Sequence, residues 1–370
     1  MRAPCSVLLM SRSLGLGGSE RQLTEIGRAL DRSRFEPHAG CFHAEGFRAD
    51  ELRLAGVPVA EFSVTSFIGP SLLSGAIAMG RYLRAHDIRL VHTFDVPSNL
   101  FGVAVARLFR VPHVISSQRV HRALTPGLRR HLLRLTDGFV DAIVVNSESV
   151  RSELMEADRV PGRLIHRCPN GIDGERFQPA SQPREGPAVI GAICALRPEK
   201  SLETLLEAFA RLGHGFDAGS RDARLLIVGS GPSLPGLQDL ASKLGLGTRC
   251  TFEPATSDVP ARLRSIDIFV LPSLSEALSN ALMEAMACGC CVVASEAGGN
   301  PELVRGGETG LLFPPRDSTA LAACLELLLS DAALRARLAS AGAERMRKEF
   351  SLASVVARME EIYHAVLSEG

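Results

Sequence analysis

The chain has 370 residues, of which 46% are hydrophobic and 22% charged. That is core enough for two to three domains of about 150 residues each, and it excludes a disordered chain, a collagen-like rod and a small disulfide scaffold. Lys+Arg and Asp+Glu balance at 41 each, which argues against a nucleic-acid partner.

The apolar run at residues 7–10 is too short for a signal-peptide core. Strands are predicted at 6–11, 37–42, 57–62, 88–92, 113–116, 142–146 and 164–168. Helices are predicted between them at 19–30, 72–86, 98–109, 126–136 and 147–157. Residues 62–80 are uncharged for 19 positions, but Pro70 and interspersed Gly, Ser and Thr make them a poor spanning helix. Residues 174–187 hold three Pro and no periodicity, which is linker composition. A second alternation follows, with strands at 189–195, 224–228, 249–252, 267–271 and 290–295. Its helices fall at 201–212, 233–244, 259–265 and 279–287, and terminal helices at 318–329, 332–348 and 351–367.

Strand–helix alternation means a parallel sheet covered on both faces. The expected class is α/β, with two doubly wound Rossmann-like domains at 1–173 and 188–349 joined by 174–187. Such sheets bind ligands at the carboxyl ends of their strands, so motifs just after strands carry the weight.

The overall charge balance conceals a division. Residues 1–180 carry 23 Arg, no Lys and 18 acids, a net of +5, and the remainder carries −5. The basic half predicts a surface that meets an anionic partner. Nine Cys are scattered, and Cys288, Cys290 and Cys291 are too crowded for a zinc spacing. Reduced thiols and a cytoplasmic setting are expected.

Gly15, Gly17 and Gly18 follow the first strand, and Ser19 with Gln22 has the S-x-x-Q capping pattern. A tight turn and a phosphate or substrate contact are both open there. Arg197 and Lys200, in ALRPEK, close the first strand of the second half, where two cations can clamp a diphosphate. Gly229 opens GSGP after LLIV. Glu276 lies in the loop after strand 267–271, and Glu284 sits in the next helix among Leu282, Met283 and Met286. The helix start at Leu278, Ser279 and Asn280 reads as uncapped and offers amides to a phosphate. Two Gly pairs and three Pro shape the loops of 298–315, with Glu302 inside them.

Residues 119–134 hold Arg119, His121, Arg122, Arg129, Arg130, His131 and Arg134 and no acid, with Leu124, Leu128, Leu132 and Leu135 between them. A solvated helix and a surface for an anionic substrate or membrane are both open readings. His92 ends a strand in VHTF. No metal-ligand spacing is present, and no metal or other cofactor is expected.

In this order and spacing, ALRPEK, LLIVGSGP, the E-x7-E pair in SEALSNALMEAMACG and GGNPELVRGGETGLLFPP resemble the retaining glycosyltransferases of family 4. PNGID at 169–173 agrees, and the first half matches more loosely through its Gly loop, VHTF and NSESVR. The resemblance implies the GT-B fold, two Rossmann-like domains facing a cleft, with helix 350–370 returning to the first. It implies transfer of a sugar from a nucleotide-sugar donor, UDP-linked by expectation, to a glycan or glycolipid of the bacterial surface.

By that resemblance Arg197 and Lys200 hold the diphosphate and Glu284 the ribose. Glu276 touches the sugar, with Gly229 and the amides of Leu278, Ser279 and Asn280 around the donor. Gly17 and Gly18 face the donor phosphates, and Gly15, Gln118, Arg119, Arg122, Arg129 and Arg130 form the acceptor side. His92 stands where a sugar-site His is often found. Family relatives often place a His just after the strand that here ends ISSQR, and this chain has Gln118 and Arg119. After Glu276, Ala277, Leu278 and Ser279 replace the common Gly, Phe or Leu, and Pro. An epimerase of the same fold and an inactive binding subunit are the alternatives. A peripheral contact with the cytosolic face of an anionic membrane is expected.

Overall fold

A computed structural model describes all residues except 1–2, 16, 126, 182–183, 213–222 and 369–370. The chain divides into two compact units, one of Met1–Gly171 with Leu352–Gly370 and one of Ile172–Ser351.

In unit one the short apolar runs become β1 (Cys5–Met10), β2 (Phe35–Cys41), β3 (Val59–Glu61), β4 (Leu90–Thr93), β5 (His113–Gln118), β6 (Ala142–Val145) and β7 (Ile165–Arg167). They form one parallel sheet in the order β3-β2-β1-β4-β5-β6-β7. The connecting helices are α1 (Gly18–Ala29), α2 (Phe47–Leu54), α3 (Pro70–Ala85), α4 (Val96–Leu108), α5 (Gly127–Asp137) and α6 (Glu148–Glu156). The central strands β1, β4, β5 and β6 are almost wholly buried because both faces are covered by helices. Pro126, the predicted first residue of the α5 helix, lies outside the described residues.

Unit two repeats the plan with β8 (Val189–Ile193), β9 (Arg224–Val228), β10 (Cys250–Glu253), β11 (Ile268–Leu271), β12 (Cys291–Ser295) and β13 (Leu311–Phe313). The order is β10-β9-β8-β11-β12-β13, again parallel. Its helices are α7 (Leu202–Arg211), α8 (Leu234–Lys243), α9 (Val259–Leu263), α10 (Asn280–Ala287), α11 (Asn300–Leu303), α12 (Ser318–Ser330) and α13 (Ala332–Glu349). The chain then returns to unit one as α14 (Leu352–Ser368), whose Val355, Met359 and Tyr363 are buried in that unit's core.

Three elements were not predicted. The FRADELRL of α2 has almost no apolar stripe and is held by burying Ala49 and Leu52 beside α1. The others, α11 and β13, are four and three residues long, below the length at which periodicity is readable.

The predicted linker is corrected. Phe177 is buried with Ile172 and Met286, Arg184 pairs with Asp267 at 2.6 Å, and Pro179 lies against Gly289. The Pro-rich composition stops regular structure without stopping packing, so the described part of 174–187 belongs to unit two. Gln182 and Pro183 lie outside the described residues. The Ile172 N–H donates to the Phe350 carbonyl at 2.9 Å, and Ile172 bridges Ser351. The two points where the chain changes units are therefore hydrogen-bonded neighbours.

All nine cysteines are free, and burial pushes the Cys291 thiol up to about 12. No helix among the described residues is long and apolar enough to cross a membrane.

Candidate active site

In unit two the strand order reverses between β8 and β11, and an open doubly wound sheet offers its ligand crevice at that point. Lys200 comes from the loop after β8 and Glu276 from the loop after β11. They meet there: Lys200 Nζ donates to Glu276 Oε1 at 2.5 Å, and Ser273 Oγ donates to the same oxygen at 2.7 Å. Both charged side chains are largely buried. The Leu274 N–H donates to the Glu199 carbonyl at 2.8 Å, which stitches the two loops together along the backbone.

Close backbone approach explains the glycines. A Cβ on Gly298, which has φ +53°, would overlap the Glu276 carbonyl oxygen. The Gly299 N–H donates to that same oxygen at 2.9 Å. The Gly pair after β12 therefore clasps the Glu276 loop. A Cβ on Gly229 would likewise overlap the Cys194 carbonyl oxygen, so the β9 loop lies against the β8 loop.

Beneath Glu276 the structure adds residues that sequence reading missed. Ser295 Oγ donates to the Ser273 carbonyl at 2.5 Å, and Asn300 Nδ2 donates to the Ser295 carbonyl at 3.0 Å. Ser273, Ser295 and Asn300 are fully buried. Their signal was small polar residues at or just beyond the ends of two apolar strands, Ser295 closing β12, Ser273 two residues past β11 and Asn300 opening α11.

Arg197 stands apart from the Lys200–Glu276 pair, with its side chain 63% exposed and 3.9 Å from Glu199. The start of α10 is not uncapped: Ser279 Oγ accepts the Leu282 N–H at 3.3 Å. Ser279 is a good capping residue whose role was hidden because no apolar periodicity marks the helix start. Leu278 is buried, and Glu284 shares a partly exposed stripe with Asn280 and Ala281 while Leu282, Met283 and Met286 face the core. Glu302 lies in α11, where its carbonyl accepts from Arg345.

Unit one reverses its strand order between β1 and β4. Gly15, Gly17 and Gly18 follow β1, and Gly17 is the N-cap of α1 without a side-chain cap. The predicted Ser19–Gln22 box is not formed. Gln22 is buried and exchanges two hydrogen bonds with the Gly171 backbone, at 2.9 and 3.1 Å. The Glu20 carboxylate folds back against Gly17 and takes a bond from Ser13 Oγ at 3.2 Å. Burial holds the Glu20 carboxyl above its usual range. Asp95, also missed, caps α4 and accepts the Arg12 N–H at 2.7 Å, joining the loops after β1 and β4.

His92 is a correction. It is fully buried, with Nδ1 2.7 Å from the Tyr363 hydroxyl and Nε2 2.9 Å from Ser117 Oγ. Both ring nitrogens are engaged, so it anchors α14 to the sheet and does not reach a sugar. Burial, with Arg119 nearby, holds it well below the usual imidazole range.

The acceptor-side assignments also change. Gln118 is buried, donates to the Val120 carbonyl at 2.8 Å and accepts from Arg122 Nε at 3.1 Å. Arg122 is fully buried and forks onto both oxygens of Asp137, at 2.7 and 2.8 Å. Asp158 receives Arg130 at 2.8 Å and Arg134 at 2.5 Å. Burial raises the Asp158 carboxyl, and Arg134, Arg130 and Arg122 together outweigh it, leaving it below its usual range. These arginines hold α5 in place because a buried aspartate collects them. Arg119 is buried over the Phe94 ring at 5.5 Å, and its nitrogens find no hydrogen-bond partner among the described residues. Burial draws its guanidinium down to about 10. Arg129 remains exposed.

A family model for Glycosyl transferases group 1 matches residues 173–345, and one for Glycosyltransferase Family 4 matches residues 16–176. An N-acetyl-alpha-D-glucosaminyl L-malate synthase of Bacillus anthracis is 30% identical over 96% of this chain and 95% of its own. The chain belongs to glycosyltransferase family 4. A GDP-mannose-dependent alpha-(1-6)-phosphatidylinositol monomannoside mannosyltransferase of Mycobacterium tuberculosis is 29% identical over 93% of this chain and 94% of its own. Among solved structures, Anabaena HepE in complex with UDP and glucose has a TM-score of 0.85 at 22% identity, over 97% of this chain and 99% of that one. The fold of this glycosyltransferase is GT-B. Among its described residues no group of three His, Cys, Asp or Glu is placed to hold a metal ion.

Proposed function

We propose that unit two of this glycosyltransferase binds a nucleoside-diphosphate sugar and that the enzyme transfers the sugar with retention of configuration. The observation that carries the reading is the Lys200–Glu276 contact at the reversal point of the second sheet. Lys200 and the exposed Arg197 neutralise the diphosphate, and Glu284 takes the ribose hydroxyls. Glu276 orients Lys200 and accepts from the sugar hydroxyls. On the front face, the anomeric C–O bond to phosphate breaks as the acceptor oxygen bonds to the same carbon, and the acceptor's hydroxyl proton passes to the departing phosphate oxygen. Fixed cations stabilise that leaving group without a metal.

Calorimetry with UDP- and GDP-linked sugars tests donor and base together, since both nucleotides occur in the names of similar proteins. Lys200→Ala and Arg197→Ala are each expected to weaken donor binding by about 1.5–3 kcal/mol, the worth of a charge-assisted bond. Unchanged affinity in both overturns the clamp. Glu284→Gln should weaken free nucleotide and nucleotide sugar alike, and Glu276→Gln should spare free nucleotide. Proton NMR of the product reads the anomer, and activity in excess chelator reads the metal.

The acceptor is proposed to be an anionic glycan or glycolipid borne on the cytosolic face of a membrane. The net +5 of residues 1–180 supports this, as does the phosphatidylinositol-linked acceptor in the name of the mycobacterial relative. Efficient glycosylation of a small soluble acceptor, with no affinity for anionic vesicles, would sink it.

A further inference from the structure

Unit one carries an apolar surface that its own core does not use. Helices α3 and α4 pack together and leave between them a groove of about 380 Å³. Leu72, Leu73, Leu100, Phe101, Ala104 and Leu108 are among its walls. Along α4, residues 100–108 give the groove a length of roughly 12 Å. Ile68 beside it is 90% exposed and Leu108 72%. Helix α5, which packs on α4, buries only Leu133 and shows Leu128, Leu132 and Leu135 to solvent, Leu128 at 75%. A monomeric surface rarely shows this much clustered large aliphatic area without a partner.

The surrounding charge selects the partner. Between Phe62 and Thr136 the chain has ten Arg and two acids, Asp87 and Asp95. Asp95 is held inside by its capping role at α4. Arg81 continues the Leu73 and Ile77 stripe of α3 at four-residue steps, Arg110 follows Leu108, and Arg129 follows Leu128. All three are exposed and have no ion pair among the described residues. Leucines beside unpaired arginines fit an interface of hydrocarbon under anionic headgroups.

We propose that the α3–α4 groove seats an acyl chain of an anionic bilayer lipid, with Arg81, Arg110 and Arg129 at the headgroup level. The inference rests on the membrane-borne acceptor proposed above and adds a lipid site distinct from the sugar-transfer site in unit two. The chain contains no Trp, so a single introduced one reports alone. A Leu73→Trp variant of the full chain should blue-shift on phosphatidylglycerol vesicles. It should be quenched when their acyl chains are brominated, and phosphatidylcholine vesicles should give at least tenfold weaker binding. A Leu327→Trp control on α12 should stay unquenched. Ala104→Phe fills the groove from an exposed position, and it should weaken vesicle binding about tenfold with melting temperature and donor affinity unchanged.

Vesicle binding with an unquenched Leu73→Trp probe, or with Ala104→Phe indifferent, overturns the groove and leaves the membrane reading standing. No binding of wild-type protein to phosphatidylglycerol vesicles overturns both. A lipid-free dimer in sedimentation that Ala104→Phe dissociates assigns the face to a second copy of the chain and overturns the proposal.

Discussion

The two sheets have the same topology at their reversal points and use it differently. After β8 and β11 the loops bring a Lys and a Glu into contact at a partly open edge. In unit one the residues expected at the sugar and acceptor turn inward instead: His92 in β4, Gln118 at the end of β5, and Arg119 and Arg122 beyond it are all buried. The difference lies in what surrounds each residue. In unit two, glycines at Gly229 and Gly298 let neighbouring loops come close enough to fix a polar pair at the sheet's edge. In unit one, α14 covers the sheet from the far end of the chain, and Tyr363 closes over His92.

The largest way to test this contrast is Arg122→Met. If Arg122 is structural, removing it leaves Asp137 and Asp158 short of a buried partner and should cost about 3–5 kcal/mol of stability. Denaturant unfolding reads this, and donor affinity of the folded protein should not change. A stable Arg122→Met protein with impaired acceptor use would return Arg122 to the acceptor side.

Glu276→Gln tests the other half of the contrast. It should lower kcat roughly a hundredfold, about 2.7 kcal/mol, with little change in melting temperature. A variant that loses stability and keeps its turnover would make the Lys200–Glu276 pair merely structural.

His92 gives a pH signature. Its folded-state value lies below its unfolded value of about 6.5, so the unfolded chain takes up the proton first. Stability is therefore full above that pH and is progressively lost as pH falls below it. The slope should shrink in His92→Phe relative to wild type. An unchanged slope would mean that His92 is not held neutral inside.

The smallest effect is expected at Ser279. Ser279→Ala removes the cap of α10 and should cost about 1 kcal/mol in thermal unfolding. No loss would restore the uncapped start that the sequence suggested.

The sequence alone determined the parallel α/β architecture, both sheets and nearly every helix, because alternating apolar runs and amphipathic stretches are local patterns. It also singled out Lys200 and Glu276, which the structure brings together, since charged residues just after strands mark a sheet's ligand edge. Only the tertiary structure decided the fate of the isolated residues. A lone His92 or an arginine of α5 has the same sequence signature whether it meets a ligand, a buried aspartate or a helix returning from 270 positions away in the chain. The linker followed the same rule: its prolines specified irregular backbone, while Phe177 and Arg184 decided where that backbone packs. Side-chain type sets what a residue can bond to, and long-range packing sets which partner reaches it first.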